Sequence, residues 1–252
     1  MTASTERRGT RLAFRIVAGI LGVVGIVLSV PFTVISFVDD AEALHRLHNV
    51  AFTALYGILL GVALLVCAWR PEENVSAFFV AVGSGIAGAI AGLASGDFVS
   101  GVWYTGPISI AVLWALHPSR RALLRPSGFH LPTAMVSLVA LVPAIAWLLT
   151  QSELQRTGQV ADPHWEFHHY SGMAAAALAL PVCGLAASLR ESGRRFGAWL
   201  VGVSAVVIGA GSLVLSEYPG AFDTPWAWLT LAWGLAVIAL TEREAMREGV
   251  PG

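Results

Sequence analysis

The sequence predicts an all-α, polytopic membrane protein of eight transmembrane helices, and three observations carry that prediction. Of 252 residues, 56% are hydrophobic and only 12% charged, against about 25% charged in an ordinary soluble chain. So much apolar surface cannot be hidden from water behind so thin a polar skin. The apolar residues also fall in long runs, and about 20 of them span a hydrocarbon core roughly 30 Å thick. Finally, the chain carries 26 glycines, a residue commoner in membrane helices than in soluble ones.

Taken in order, residues 1–11 are polar, with Arg7, Arg8 and Arg11. The first apolar run, 12–38, is too long for a cleaved signal, whose apolar region is about 7–15 residues. It reads as a retained span, with Pro31 near its end. The second span covers 46–69 and stops at Arg70-Pro71-Glu72-Glu73. The third covers 75–95, with Gly88 and Gly92 inside it and Gly96 just past its end, at the four-residue spacing that lets helix backbones approach. The fourth covers 98–116 with Pro107 inside. A polar, arginine-rich connector, 117–130, follows, and its His117 and His130 are expected to face solvent. The fifth span covers 131–150, and loop 151–167 is a candidate docking surface for a partner. The sixth covers 168–189, the seventh 196–215, the eighth 225–240, and a charged tail closes the chain. Cys67 and Cys183 fall inside apolar runs and read as small apolar fillers rather than a disulfide.

Arginine placement gives the orientation. With eight spans and a cytoplasmic N-terminus, 13 of the 15 basic residues, all arginines, lie on the cytoplasmic side; only Arg46 and Arg156 lie outside. The protein is therefore expected in the inner (plasma) membrane with both termini cytoplasmic. The same topology gathers Asp39, Asp40, Glu42, His45, His48, Asp97, Glu153, Asp162, His164, Glu166, His168, His169, Glu217 and Asp223 at the outer face, with Trp103, Trp165, Trp226 and Trp228 at or near that boundary.

Shifting the chain by 120 residues superimposes the spans without a gap. His48 falls on His168, Arg70 on Arg190, Asp97 on Glu217. Polar positions are the costly ones in a membrane helix, so their coincidence predicts a duplication: one four-helix half over 1–119, a connector over 120–130 and a second half over 131–252. Four spans per copy insert both copies the same way round, related by an axis along the membrane normal. Equivalent residues then meet near that axis.

The chemistry is expected at the outer face. Residues 161–172 pack three histidines and two carboxylates just before the sixth span. His45 and His48, at i and i+3, share one helical face. A helix N-terminus disfavours imidazolium, and neutral imidazole is the form that binds metal. His48, His168, Asp97 and Glu217, with His45, His164 and His169 around them, therefore form a candidate site for zinc, iron or copper. If the protein is an enzyme, such a metal would activate water or oxygen toward a small apolar or lipid-like substrate. The competing expectation is that these residues only cap helices and solvate the interface, in a ligand-free accessory subunit. The four-plus-four layout with histidines resembles haem A synthase and related membrane cytochromes in architecture, which implies haem as an alternative cofactor. The fourth and eighth spans, however, carry no histidine to complete the ligand pairs.

Other classes fit poorly. A formal net charge of −1 gives no field favouring nucleic acid. No Gly-x-Ser-x-Gly elbow surrounds a serine, and Gly83-Ser84-Gly85 reads as helix packing. The span centres lack charge, so a charged transport substrate has no path. The arginine groups at 120–125 and 190–195 face anionic lipid headgroups.

Overall fold

The computed structural model describes residues 3–98, 102–125, 127–158, 162–218, 220–247 and 249, and among these every regular element is helical. Of the residues singled out above, Ala161 and the side chains of Arg7, Asp40, Glu42 and Trp103 lie outside the described residues.

Helix α1 (Ala3–Val27) and α2 (Val30–Val38) form one apolar rod with a break between them. Pro31 lacks the N–H that would continue the α1 ladder and crowds the carbonyl four residues back. Ser29 bridges the break by donating to Gly25 O at 2.7 Å. A 3-10 turn (Asp40–His45) leads to α3 (Arg46–Phe52), a π-helical stretch (Thr53–Val62) and α4 (Ala63–Trp69), which run on as one rod. Then follow α5 (Val75–Ser95), α6 (Val102–Leu116), α7 (Leu131–Thr157), the single turn α8 (Pro163–Glu166), α9 (His169–Ser188), α10 (Arg194–Val214) and α11 (Thr224–Arg247).

Seven of these rods are long and apolar enough to cross a membrane: Arg8–Val38, Ala43–Trp69, Val75–Ser95, Leu131–Thr157, His169–Ser188, Arg194–Val214 and Thr224–Arg247. They are consistent with an integral, multi-pass membrane protein. The expected fourth span is shorter than anticipated, since α6 is 15 residues long, or roughly 22 Å at 1.5 Å per residue. The fifth span is longer than expected and absorbs the start of the supposed loop. Its extension is held by an Arg156–Glu153 pair and by burial of Gln151, Ser152 and Gln155.

α9 is the axis of the bundle, and Tyr170 through Pro181 are all buried. Its alanine-rich surface lets α5 and α7 pack closely on either side, as small residues do in membrane interfaces. α10 and α11 meet through glycine. A Cβ on Gly202 would stand 2.7 Å from Gly234 O, and one on Gly234 would stand 2.6 Å from Gly202 O. Gly83 faces Cys183 across the α5–α9 seam and Gly85 faces Gly106 on α6, so the Gly-Ser-Gly stretch does pack helices. Both cysteines are free and buried. Around the outside, Ile16, Ile20, Val139, Val142, Trp226 and Trp228 are exposed, an apolar belt of the kind lipid covers.

The two ends of the bundle differ in chemistry. One end gathers the arginine-bearing segments. Arg11 pairs with Glu72 at 2.8 Å, Arg194 with Glu244 at 2.9 Å and Arg195 with Glu242 at 2.7 Å. Ser192 donates to Glu72 O at 2.9 Å. Arg190 is buried there. It stacks on Phe79 at 4.0 Å and donates to the carbonyls of Leu123 and Arg125. His117 and His130 are at this end too, but the expectation that they face solvent is corrected. His117 is fully buried against Phe14 and Phe78, with ring centroids at 4.8 and 5.1 Å, and its Nδ1 accepts from Ser119 N. His130 is buried between Thr133 (2.7 Å) and Glu244 (3.3 Å). Both lie where the connector folds back onto the helix ends, so a polar stretch of sequence becomes a lid with an interior.

Candidate functional site: an imidazole cluster

The opposite end of the bundle holds the other five histidines, and four of them form one cluster. The 3-10 turn brings His45 to the head of α3, and one helical turn later His48 points the same way. From the other side, α8 presents His164 and the first residue of α9 presents His169. His48 lies 4.7 Å from His164 and 4.9 Å from His169, centroid to centroid, nearly parallel to the latter at 26°. His45 lies 5.7 Å from His164 and 4.8 Å from His169, and His164 and His169 are 6.0 Å apart. Phe52, Phe167 and Tyr170 wall the cluster.

His48 sits deepest. It is 0% exposed, and neither of its ring nitrogens has a hydrogen-bond partner among the described residues. Gly220, in a left-handed conformation (φ 82°), lets its backbone close over His48 Nε2, and a Cβ there would stand 3.2 Å from that nitrogen. His169 Nδ1 is likewise buried and unpartnered. Leaving a buried polar atom unpaired costs about 1–3 kcal/mol, so native structures seldom do it without a ligand or a water.

His164 is held from both sides. Asp162 caps α8, accepting from His164 N at 2.9 Å and His164 Nδ1 at 3.0 Å, and its second oxygen accepts from Tyr170 OH at 2.9 Å. Partial burial pushes the Asp162 carboxyl up. The hydrogen bonds from Tyr170 and His164 outweigh it and hold the group below its ordinary range, so it stays ionised. His164 Nε2 lies 3.2 Å from Leu44 O. A carboxylate behind one imidazole nitrogen fixes the ring and makes the other nitrogen more basic, as it does behind metal-bound histidine.

His168 belongs to a second, adjoining pair. It is the one non-glycine residue with positive φ (58°) among the described residues, a backbone conformation that costs a side-chain-bearing residue roughly 1–2 kcal/mol. The left-handed turn swings its ring away from the cluster and toward Asp97, whose side chain is fully buried; Nδ1 to Oδ1 is 3.1 Å. Asp97 follows Gly96, itself left-handed, and also accepts from Ser171 Oγ at 2.6 Å. Glu217 is exposed, and among the described residues no hydrogen bond or ion pair joins it to the cluster. The structure thus unites His45, His48, His164 and His169, sets His168 with Asp97 beside them, and leaves Glu217 out. Asp162, absent from the sequence-derived ligand set, is the carboxylate that touches the cluster. The signal for it was available, because an Asp two residues before a His at a helix start is a capping position.

As the side chains stand, no group of three His, Cys, Asp or Glu donors among the described residues encloses a metal ion. The imidazoles pack ring against ring. The residues around them hold the rest of this end together: Trp165 Nε1 donates to Gln155 O at 2.7 Å and Gln155 Nε2 donates to Trp165 O at 3.0 Å, pinning the loop to α7. Searches against protein-family models, curated proteins and solved structures return no match for the chain.

Proposed function

We propose that the protein is a membrane metalloprotein whose transition-metal site is formed by His45, His48, His164 and His169 at the end of the bundle opposite the arginines. The observation that carries this reading is His48: a fully buried imidazole, unpartnered at both nitrogens, surrounded by three further imidazoles. Four neutral nitrogen donors suit zinc, copper or iron, and χ rotations could re-aim rings each of which lies within 6.0 Å of at least two others. Asp162 would orient His164 from behind. A metal with one open position would act as a Lewis acid, lowering the pKa of bound water.

The topology belongs to the same reading. We take α6 as an eighth crossing. Its Trp114 packs on Phe78 near the arginine end, and its Gly106 packs on Gly85 halfway along α5, so α6 runs antiparallel to α5, from the histidine side toward the arginine end. Eight crossings keep 13 of 15 arginines on one side, which by charge bias is the cytoplasm. The histidines then face outward across an inner membrane. Three contacts between residues 120 apart favour a duplicated four-helix unit: Leu44 O with His164, Phe52 against Gly172, and Glu72 O with Ser192. Equivalent residues meet in this way only near an internal two-fold axis.

The test is elemental analysis and an absorption spectrum of the full chain purified without chelator. Near-stoichiometric zinc, copper or iron is expected, lost in His48→Ala and in His169→Ala and retained in His168→Ala. A Soret band would select haem instead. Metal-free protein that also fails to take up added zinc, copper or iron would reduce the cluster to aromatic packing.

A further inference from the structure

A cavity of about 340 Å³ lies between α1, the π-helical stretch, α5 and α6, within the roughly 300–1,000 Å³ range of small-molecule sites. Along α5 it reaches from Phe78 to Gly88, roughly 15 Å at 1.5 Å per residue. Its wall is aliphatic and aromatic. Tyr56, Ser84 and Ser109 bring the only hydroxyls, and no charged residue lines it among the described residues. Ser84 spends its hydroxyl on Ala81 O at 2.9 Å. At the histidine end the lining includes Phe52, whose ring centroid is 5.6 Å from that of His169. One side chain therefore touches both the cavity and the imidazole cluster.

The second half of the chain offers a control. Under the 120-residue shift, Gly85, Gly88 and Leu113 correspond to Ala205, Ile208 and Trp233. Ala205 and Ile208 are buried, and Trp233 packs against the core with its Nε1 bonded to Val136 O. At these three positions the second half carries the larger side chain, whereas opposite Phe52, Tyr56 and Phe78 it carries the smaller Gly172, Ala176 and Ala198. Helix α5 also keeps its π-helical neighbour on this side, and π-turns concentrate at functional sites.

We infer that this cavity binds the hydrocarbon tail of a membrane lipid, with the end of the tail nearer the headgroup directed past Phe52 toward the histidines. The occupant follows from the setting. The cavity lies among membrane-spanning helices, it is elongated along them, and it has no group to pair with a charged or strongly polar ligand. The direction of the headgroup rests on the imidazole-site reading; occupancy by a tail does not.

The experiment uses the full chain in nanodiscs with a photoactivatable palmitic acid carrying a mid-chain diazirine, followed by peptide mapping of the label. Label is expected on α1, the π-helical stretch, α5 and α6, competed by excess unlabelled palmitic acid. Leu113→Trp, which copies the second half, should cut it about tenfold, equivalent to roughly 1.4 kcal/mol of binding. Val24→Trp fills the cavity from the half-exposed α1 side and repeats the test should Leu113→Trp fail to fold. Label spread evenly over the lipid-facing belt, or unchanged in a folded filled variant, overturns the inference. Metal content measured on the same preparations separates the two readings: specific label without metal leaves the tail site and removes the metal, and metal without specific label does the reverse.

Discussion

The two ends of the bundle differ in how completely they satisfy buried polarity. At the arginine end, Arg190 is buried with both terminal guanidinium nitrogens donating to carbonyls and an aromatic face against it, and only its Nε has no hydrogen-bond partner among the described residues. Arg194 and Arg195 each reach a carboxylate on α11. At the histidine end, His48 is as deeply buried and engages no hydrogen-bond partner among the described residues. Polar groups cost free energy when desolvated, and a native fold ordinarily satisfies them. Among the described residues, the arginine end leaves single atoms unpaired, Arg190 Nε and His117 Nε2, on side chains whose other nitrogens are bonded. The histidine end leaves both ring nitrogens of His48 unpaired, which is where the proposed metal would bind.

The sharpest way to break that contrast is His48→Phe, which keeps the ring and removes both nitrogens. Bound metal should be lost entirely, read by elemental analysis. Stability of the metal-free protein should hold or rise, by up to about 1–3 kcal/mol, because an unpaired buried group is gone. A metal-free variant destabilised as much as a core truncation would mean that His48 is satisfied in a way its surroundings do not reveal, and the contrast would disappear.

The reverse experiment is Arg190→Met at the other end. It leaves the carbonyls of Leu123 and Arg125 without their donor and removes the contact with Phe79. A loss of about 2–4 kcal/mol is expected, with metal content unchanged, measured by unfolding in mixed micelles. Metal loss in this variant would show that the ends are coupled through α9.

Much of this is legible in the sequence. Long apolar runs fixed all seven long rods, and the arginine pattern sorted their ends correctly: Arg46 and Arg156 do sit with the histidines, contacting Ser36 O and Ala94 O. The meeting of His48 with the 164–169 stretch was also legible, because only helix ends carry polar groups in such a chain. The identity of the partners was not. Sequence spacing treats His168 as the first residue of a helix and so as the equivalent of His48. The left-handed turn at His168 rotates that ring onto Asp97 and hands its place to His169, and no periodicity registers a single positive φ. The burial of His117 and His130 was missed for a related reason, since a polar connector gives no sign that it will fold back over helix ends.

His117 provides the third comparison, this time in pH. Burial pushes its imidazole down, to about 4 from an ordinary 6.5. The folded protein therefore holds it neutral while the unfolded chain takes up a proton first as pH falls. Its contribution to stability is complete above about pH 6.5 and declines toward pH 4, by up to roughly 1.4 kcal/mol per pH unit within that window. His117→Leu should flatten this slope relative to wild type when unfolding is compared at pH 7 and pH 5. Parallel slopes would place water or an unrecognised acceptor at the ring.

The smallest effect expected is at the surface of the arginine end. Arg11 reaches Glu72 at 2.8 Å, but the two side chains are 47% and 49% exposed, so the pair is well screened. Exposed ion pairs contribute about 0–1 kcal/mol, less as salt rises. Glu72 has other holds on the structure: Ser119 donates to its second oxygen at 3.3 Å and Ser192 to its backbone carbonyl. Arg11→Ala should therefore cost under about 1 kcal/mol, and the cost should fade in high salt when measured by the same unfolding assay. A larger, salt-independent cost would mean that the loop after α4 depends on Arg11 for its position. The arginine end would then be a fitted site with its own selective demands rather than a set of paired charges at a lipid surface, and the difference between the two ends would be one of degree.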